Sequence, residues 1–236
     1  MLTQTQGQIY LSNARGLTLT KTHRSFHTFN DGNYYDRNRK PFGNLITCND
    51  DTLVGGETMR IIADRNLEIM LLPLVGAIEL SINGGKPEFI DICEAKVFSV
   101  SANDAYEITN PYDNELVNFL HIRFTRAFGV ESIKNRSVYF NIDTNKHTLQ
   151  NIGANCYIGK FAGREEGFLI LKPESQGVFG FVIEGAFEFQ NRLLEARDSI
   201  ALWNDDNDPL QIEFEALSND AILLIIEVKT MGGILI

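Results

Sequence analysis

The sequence predicts an all-β protein made of two related units, and two observations carry that reading. The first is a series of short apolar segments separated by turn residues, at the spacing of antiparallel strands. The second is a repeat. Gly76-Ala77-Ile78-Glu79-Leu80 returns as Gly185-Ala186-Phe187-Glu188-Phe189, and an apolar run precedes each copy, Leu71 to Val75 and Phe179 to Ile183. A second phrase, Glu94-Ala95-Lys96, returns as Glu195-Ala196-Arg197. On this pairing the second copy is about eight residues shorter between the phrases, a difference that a turn absorbs.

Residues 1–22 alternate weakly, and Gln8-Ile9-Tyr10-Leu11 reads as an edge strand. Aromatic residues then cluster at Phe26, Phe29, Tyr34, Tyr35 and Phe42, broken by Asp31-Gly32-Asn33, which predicts an extended arm with turns. Strand-like segments follow: Met59 to Ile62, Leu67 to Leu74, Ala77 to Ile82, Phe89 to Ile92, Val97 to Val100, Ala105 to Ile108 and Val117 to Phe124. Asn83-Gly84-Gly85, Asn103-Asp104 and Asn110-Pro111 are the turns between them. Such a set closes into a sandwich or small barrel. Residues 125–150 lack a clear period and read as a linker, with one helical turn expected between Arg126 and Asn135. In the second unit, Leu210, Ile212 and Phe214 alternate with Gln211, Glu213 and Glu215, one face buried and one wet. The tail Met231 to Ile236 is apolar enough to dock on the body or on a second subunit.

The expected organisation is an N-terminal barrel with its arm over 1–125, a linker over 126–150 and a smaller C-terminal barrel over 151–236. A length of 236 residues accommodates two small domains.

Lys and Arg total 21 against 31 Asp and Glu, a net charge of −10. This argues against nucleic-acid binding, which needs a basic footprint. The N-terminus shows no secretory signal, and the apolar runs fall far short of the roughly 18–20 residues that span a bilayer. Three widely spaced cysteines, Cys48, Cys93 and Cys156, read as reduced thiols in a cytoplasmic protein. No Walker loop, dinucleotide fingerprint or Gly-x-Ser-x-Gly elbow supports nucleotide chemistry or serine hydrolysis.

The arm Phe26-His27-Thr28-Phe29-Asn30, with Tyr34-Tyr35-Asp36 and Phe42-Gly43-Asn44-Leu45, resembles the N-terminal signature of the pirin family. Asn49-Asp50-Asp51 then matches a short acidic turn of that family, and Leu67-Glu68-Ile69, Gly76, Ser99 and Asn110-Pro111 continue the match. The C-terminal half resembles the second domain of the bacterial, quercetinase-like members. The resemblance implies a bicupin: two tandem cupin barrels, each a double-stranded β-helix or jelly roll, packed face to face. It also implies iron or another divalent transition metal, held by a His-x-His pair and a later His-x-Glu pair that point into the first barrel. Residues i and i+2 of a strand share a face, so two such pairs converge on one ion.

Carried onto this sequence, the first pair falls on Ile62 and Asp64 and the second on Tyr106 and Ile108. None is histidine, and only Asp64 remains a plausible ligand. The expectation is therefore no metal and no other cofactor. Asp64, Glu68 and Tyr106 are candidates for a polar pocket, the bland alternative being that Tyr106 and Asp64 satisfy one another. Of the four histidines, His23 and His27 belong to the arm and His147 to the linker, and His121 reads as a hydrogen-bonded wall residue. The inward positions of the second barrel, around Phe179, Phe181, Ile183 and Phe189, are apolar, and Trp203 reads as core or interface.

Three functions stay open. The first is a metal-free pirin-like bicupin that binds a small molecule or a protein partner. The second is a metal-dependent oxidoreductase resembling quercetin 2,3-dioxygenase, and the third is a regulatory or structural subunit that forms a homo-oligomer. Neither nucleic acid nor a membrane is an expected partner.

Overall fold

A computed structural model describes residues 5–126, 135–172, 175, 177–204 and 211–229. The predicted helical turn before Asn135 and the apolar tail Met231 to Ile236 lie outside these residues. The described residues form 21 strands and a single 3-10 turn at Ser12–Ala14, and they divide into two compact units.

The first unit comprises residues 16–41 and 45–140. Its strands are β2 (Gly16–Leu19), β3 (His23–His27), β4 (Leu45–Leu53), β5 (Thr58–Ile62), β6 (Leu67–Val75), β7 (Ile78–Ile82), β8 (Glu88–Ile90), β9 (Glu94–Val100), β10 (Ala105–Thr109), β11 (Val117–Thr125) and β12 (Arg136–Tyr139). They form a seven-stranded sheet in the order β12-β9-β6-β11-β4-β3-β2 and a four-stranded sheet in the order β5-β10-β7-β8. All pairings are antiparallel. Leu67, Ile69, Leu71, Phe98, Val117 and Phe119 of the large sheet pack on Ile78, Leu80, Tyr106 and Ile108 of the small one.

The second unit takes residues 141–236 together with 1–15 and 42–44. Its strands are β1 (Gln6–Tyr10), β13 (Gln150–Gly153), β14 (Cys156–Phe161), β15 (Glu166–Ile170), β16 (Gly177–Glu184), β17 (Ala186–Phe189), β18 (Leu193–Glu195), β19 (Ser199–Trp203), β20 (Gln211–Ala216) and β21 (Ala221–Val228). The sheet orders are β1-β19-β16-β21-β14-β13 and β15-β20-β17-β18. Removing the edge strands leaves the same eight-strand jelly roll twice, β4 to β11 and β14 to β21.

The domain limits therefore differ from those expected. The predicted strand at Ile9 and Tyr10 exists, but it pairs with β19 of the C-terminal unit. The supposed linker supplies β12, which hydrogen-bonds to β9 of the N-terminal unit. Sequence order is a poor guide here because an edge strand joins whichever open sheet edge it reaches.

The first repeated phrase is structural. Gly76 and Gly185 leave β6 and β16 with φ of +70° and +79°, a left-handed conformation that glycine adopts without strain. The second phrase is not equivalent. Glu94-Ala95-Lys96 opens β9, whereas Ala196 and Arg197 lie in the turn before β19. The equivalent turns are Asp91–Glu94 and Glu195–Asp198. In each, the last carboxylate accepts a hydrogen bond from the first residue's backbone N–H, at 3.3 Å and 3.0 Å, and the third residue has positive φ.

Among the described residues, the core of the C-terminal barrel is an apolar cluster. Phe161, Phe187, Phe189 and Phe214 pack edge-to-face or stacked within it. On β16 the inward residues are Val178 and Val182. Phe179 and Phe181, read as inward from the sequence, are buried on the opposite face.

Candidate functional site

The inner face of the large N-terminal sheet changes character along its strands. One half is the apolar core; the other half is polar and lines a cavity of about 220 Å³. Strand alternation brings His23, Ser25 and His27 of β3 to one face. The register sets them beside Leu53, Asp51 and Asn49 of β4, and those in turn beside Val117, Phe119 and His121 of β11. Arg123 lies opposite Thr47 one step further on. The facing wall is hydrocarbon, from Met59 and Ile61 of β5.

These polar groups hydrogen-bond to one another. His121 Nδ1 lies 3.5 Å from Asp51 Oδ2, and His23 Nε2 lies 3.3 Å from Asp51 Oδ1. The Tyr106 hydroxyl is 2.9 Å from His121 Nε2. A carboxylate can only accept, so Asp51 fixes the proton of His121 on Nδ1 and leaves Nε2 to accept from Tyr106. His27 has Thr18 Oγ1 at 2.8 Å from Nε2 and Asp31 Oδ2 at 3.8 Å from Nδ1, with the Tyr34 ring stacked on it. Asp31 is held by the Arg123 guanidinium and by Asn49 Nδ2, the latter at 2.7 Å.

Burial would raise the Asp51 pKa, but hydrogen bonds from His121, His23 and Ser25 outweigh it and hold the carboxyl well below the usual range. Burial pushes the His121 pKa down, so its imidazole is neutral, and burial also pushes the Tyr106 phenol up.

The four positions singled out in the sequence do not share this cavity. Tyr106 and Ile108 are fully buried on β10 and point into the core. Ile62 ends β5 on the outward side and is 63% exposed. Asp64 is exposed and pairs with Arg65 at 2.6 Å. Ile62 and Asp64 line an outer groove of about 390 Å³ together with Tyr34, Tyr35 and Arg65. Tyr106 thus finds His121 as its partner and not Asp64. Glu68 sits on β6 with parity opposite to Leu67 and Ile69, away from the barrel interior. Asp64, Glu68 and Tyr106 therefore do not assemble into one pocket.

As arranged, the four residues onto which the resemblance carries the metal ligands do not fit a transition-metal centre. Two are hydrocarbon, one is an exposed ion-paired carboxylate, and one is a phenol committed to His121. Among the described residues no group of three or more His, Cys, Asp or Glu is placed to hold an ion.

The residues that line the cavity were largely missed by the sequence. The sequence places His23 and His27 in an arm outside the barrel, but β3 joins the large sheet. The resemblance implies a short acidic turn at Asn49-Asp50-Asp51, but these residues are the middle of the nine-residue strand β4. Buried polar residues break the apolar alternation that marks a strand. The shared parity of Asn49, Asp51 and Leu53 was the available signal.

Two antiparallel jelly rolls in tandem, the first with a polar cavity and the second around an apolar core cluster, define a two-domain cupin. Comparison with known proteins agrees. Residues 148–228 match the model of the quercetinase C-terminal cupin domain. Quercetin 2,3-dioxygenase of Escherichia coli K12 is 29% identical over 98 residues, 42% of this chain and 42% of that protein, so the match spans less than half of the relative. Among solved structures, YhhW from Escherichia coli superposes with a TM-score of 0.78 at 20% identity, covering 96% of this chain and 99% of that one. The bacterial pirin YhhW in complex with nickel(II) gives 0.75 at 21% identity, with 96% and 100% covered. The likeness to these solved structures is one of fold: two tandem cupin barrels.

Among the described residues, no helix is long and apolar enough to cross a membrane.

Proposed function

We propose that this protein is a pirin-like bicupin without the family's metal chemistry, and that its N-terminal barrel binds a small molecule. The observation that supports this reading most is the location of the polar side chains. They surround a cavity on β3, β4 and β11, while the positions onto which the resemblance carries the metal ligands are Ile62, Asp64, Tyr106 and Ile108. Three cysteines that stand as thiols are in keeping with a cytoplasmic protein. Metal analysis of protein grown with iron, manganese or nickel supplements tests the reading. Well under one equivalent per chain is expected, and a value near one equivalent for any of them overturns it.

A second reading, a quercetin 2,3-dioxygenase-like oxygenase, is supported by the 98-residue match to the Escherichia coli enzyme of that name. Fold-level likeness is a weak warrant for activity. Oxygen consumption with a flavonol decides between the two: turnover that depends on added metal favours the oxygenase, and none under any metal favours the binding protein.

A further inference from the structure

The outer face of the small C-terminal sheet differs in kind from the same face of its N-terminal twin. Strand register sets Glu166 of β15, Glu215 of β20 and Glu188 of β17 side by side in one row. Phe168 stands opposite Glu213 in the next row, and Ile170 opposite Gln211 in the one after. Directly opposed residues share a face. Their neighbours Leu169, Ile212, Phe214 and Phe187 belong to the core, so the first set points outward. Phe168 and Ile170 are 64% and 57% exposed, and Leu193, opposite Glu188, is exposed as well.

The N-terminal barrel supplies an internal comparison. Matching Gly76 with Gly185 sets Glu79 in the place of Glu188, and the register then sets Thr58 and Thr109 in the places of Glu166 and Glu215. The two threonine hydroxyls hydrogen-bond to each other at 2.8 Å, and Arg60 faces Glu107 at 3.6 Å in the next row. That face satisfies its own polar groups. On the C-terminal face like charges stand directly opposite one another, an arrangement that costs stability. Glu215 has only the exposed Arg164, 3.4 Å away, and among the described residues Glu166 and Glu188 take part in no ion pair. A groove of about 480 Å³ lies among these carboxylates and Phe168, and among the described residues no Lys or Arg lines it.

We propose that this face docks a short basic segment of another protein, with Lys or Arg side chains seated among Glu166, Glu188, Glu213 and Glu215 and an apolar side chain packed on Phe168 and Ile170. The inference goes beyond the small-molecule reading and concerns the other barrel. Nucleic acid and anionic lipid both present phosphate, which these carboxylates repel. A purely apolar partner would desolvate them without supplying a counter-charge. An inorganic cation is the wrong guest, because among the described residues these carboxylates are not placed to hold one ion. Basic side chains answer the charge, and their methylene stems also cover the exposed hydrocarbon.

The test uses the full chain and three labelled peptides of equal length. One alternates lysine with leucine and phenylalanine, the second has serine in place of the apolar residues, and the third has glutamate in place of lysine. Fluorescence anisotropy at neutral pH and physiological ionic strength is expected to show saturable binding of the first, with the other two about tenfold weaker or silent. Replacing the acidic row by Glu166→Gln, Glu188→Gln and Glu215→Gln together is expected to weaken the first peptide about tenfold and to raise the urea midpoint, since opposed like charges are removed. Phe168→Ser, made separately, is expected to weaken the same peptide, whereas Glu107→Gln in the N-terminal barrel is expected to leave its affinity unchanged. Amide NMR shifts caused by the peptide are expected at Phe168, Glu213 and Glu215. The inference is overturned by wild-type affinity in the triple variant, by equal binding of the serine or glutamate peptide, by no binding of any peptide, or by shifts confined to other residues. Sedimentation of the chain alone tests a second copy as the occupant: a dimer that Phe168→Ser dissolves also overturns it.

Discussion

The Tyr106 hydroxyl lies 2.9 Å from Nε2 of His121, and this hydrogen bond ties the small sheet of the N-terminal unit to the large one. Both residues are buried, with Tyr106 at 0% exposure and His121 at 3%. Neither group has water to fall back on, so the bond is expensive to leave unmade. Tyr106→Phe keeps the ring that packs edge-on against Phe98 but strands His121 Nε2. Urea denaturation is expected to show a loss of about 1–3 kcal/mol. An unchanged midpoint would mean that another donor reaches His121.

Stability is expected to fall with acid in two stages. The folded His121 pKa is depressed, so protonation favours the unfolded chain. Its contribution is complete above the unfolded value of about 6.5 and is lost as pH drops below it. The Asp51 pKa is also depressed, so its contribution is complete above about 3.9 and is lost as pH falls further. Thermal melts between neutral pH and pH near 3 check both stages. His121→Phe should flatten the first stage and leave a second one in the acid range.

The glycines of the repeated phrase should be hard to replace. A Cβ at Gly76 would meet Val117 Cγ1 at 2.9 Å, and one at Gly185 would collide with Ser218 Oγ and meet Ala221 Cβ at 2.8 Å. Both residues also have positive φ. Each next residue donates its backbone N–H to a side-chain hydroxyl, Ala77 to Tyr112 and Ala186 to Ser218, so the turn is held on both sides. Alanine substitution should cost about 1–3 kcal/mol at either site. The larger loss is expected at Gly185, where one close neighbour is a packed methyl. Denaturant midpoints of the two variants measure this.

These glycines explain why the duplication was legible. A left-handed turn at the exit of a central strand restricts the position to glycine, so the letter recurs. The Asp91–Glu94 and Glu195–Asp198 turns need only a carboxylate at the last position, so different residues serve and a comparison of letters finds the wrong partner. The cavity was illegible for a related reason. Apolar alternation identifies a strand by what it buries, and β4 buries Asn49 and Asp51. Only the partners, His121 from β11, His23 from β3 and Asp31 from the following turn, make that burial tolerable. Those partners are remote in sequence. The edge strand β1 was visible as a strand, but nothing local to it encodes which sheet edge it joins.

Asp64 and Asp51 give the sharpest contrast between the position the family pattern points to and the position the fold uses. The Asp64 side chain is 64% exposed and pairs with a neighbour that is also exposed, so solvent screens most of the attraction. Asp64→Asn should change stability by no more than about 0.5 kcal/mol. The Asp51 side chain is 2% exposed and holds two imidazoles. Asp51→Asn places an NH₂ group in a site built for acceptors only, and should cost about 3 kcal/mol or more. It also frees His121 to change tautomer, which removes the acceptor from Tyr106. The imidazole nitrogen shifts of His121 report that change directly: protonation on Nδ1 is expected in the parent and in Asp64→Asn, and a mixture or reversal in Asp51→Asn. If the two substitutions proved equally harmless, Asp51 would not organise the cavity. If Asp64→Asn were the damaging one, the outer groove beside Ile62 would be the place to look for function.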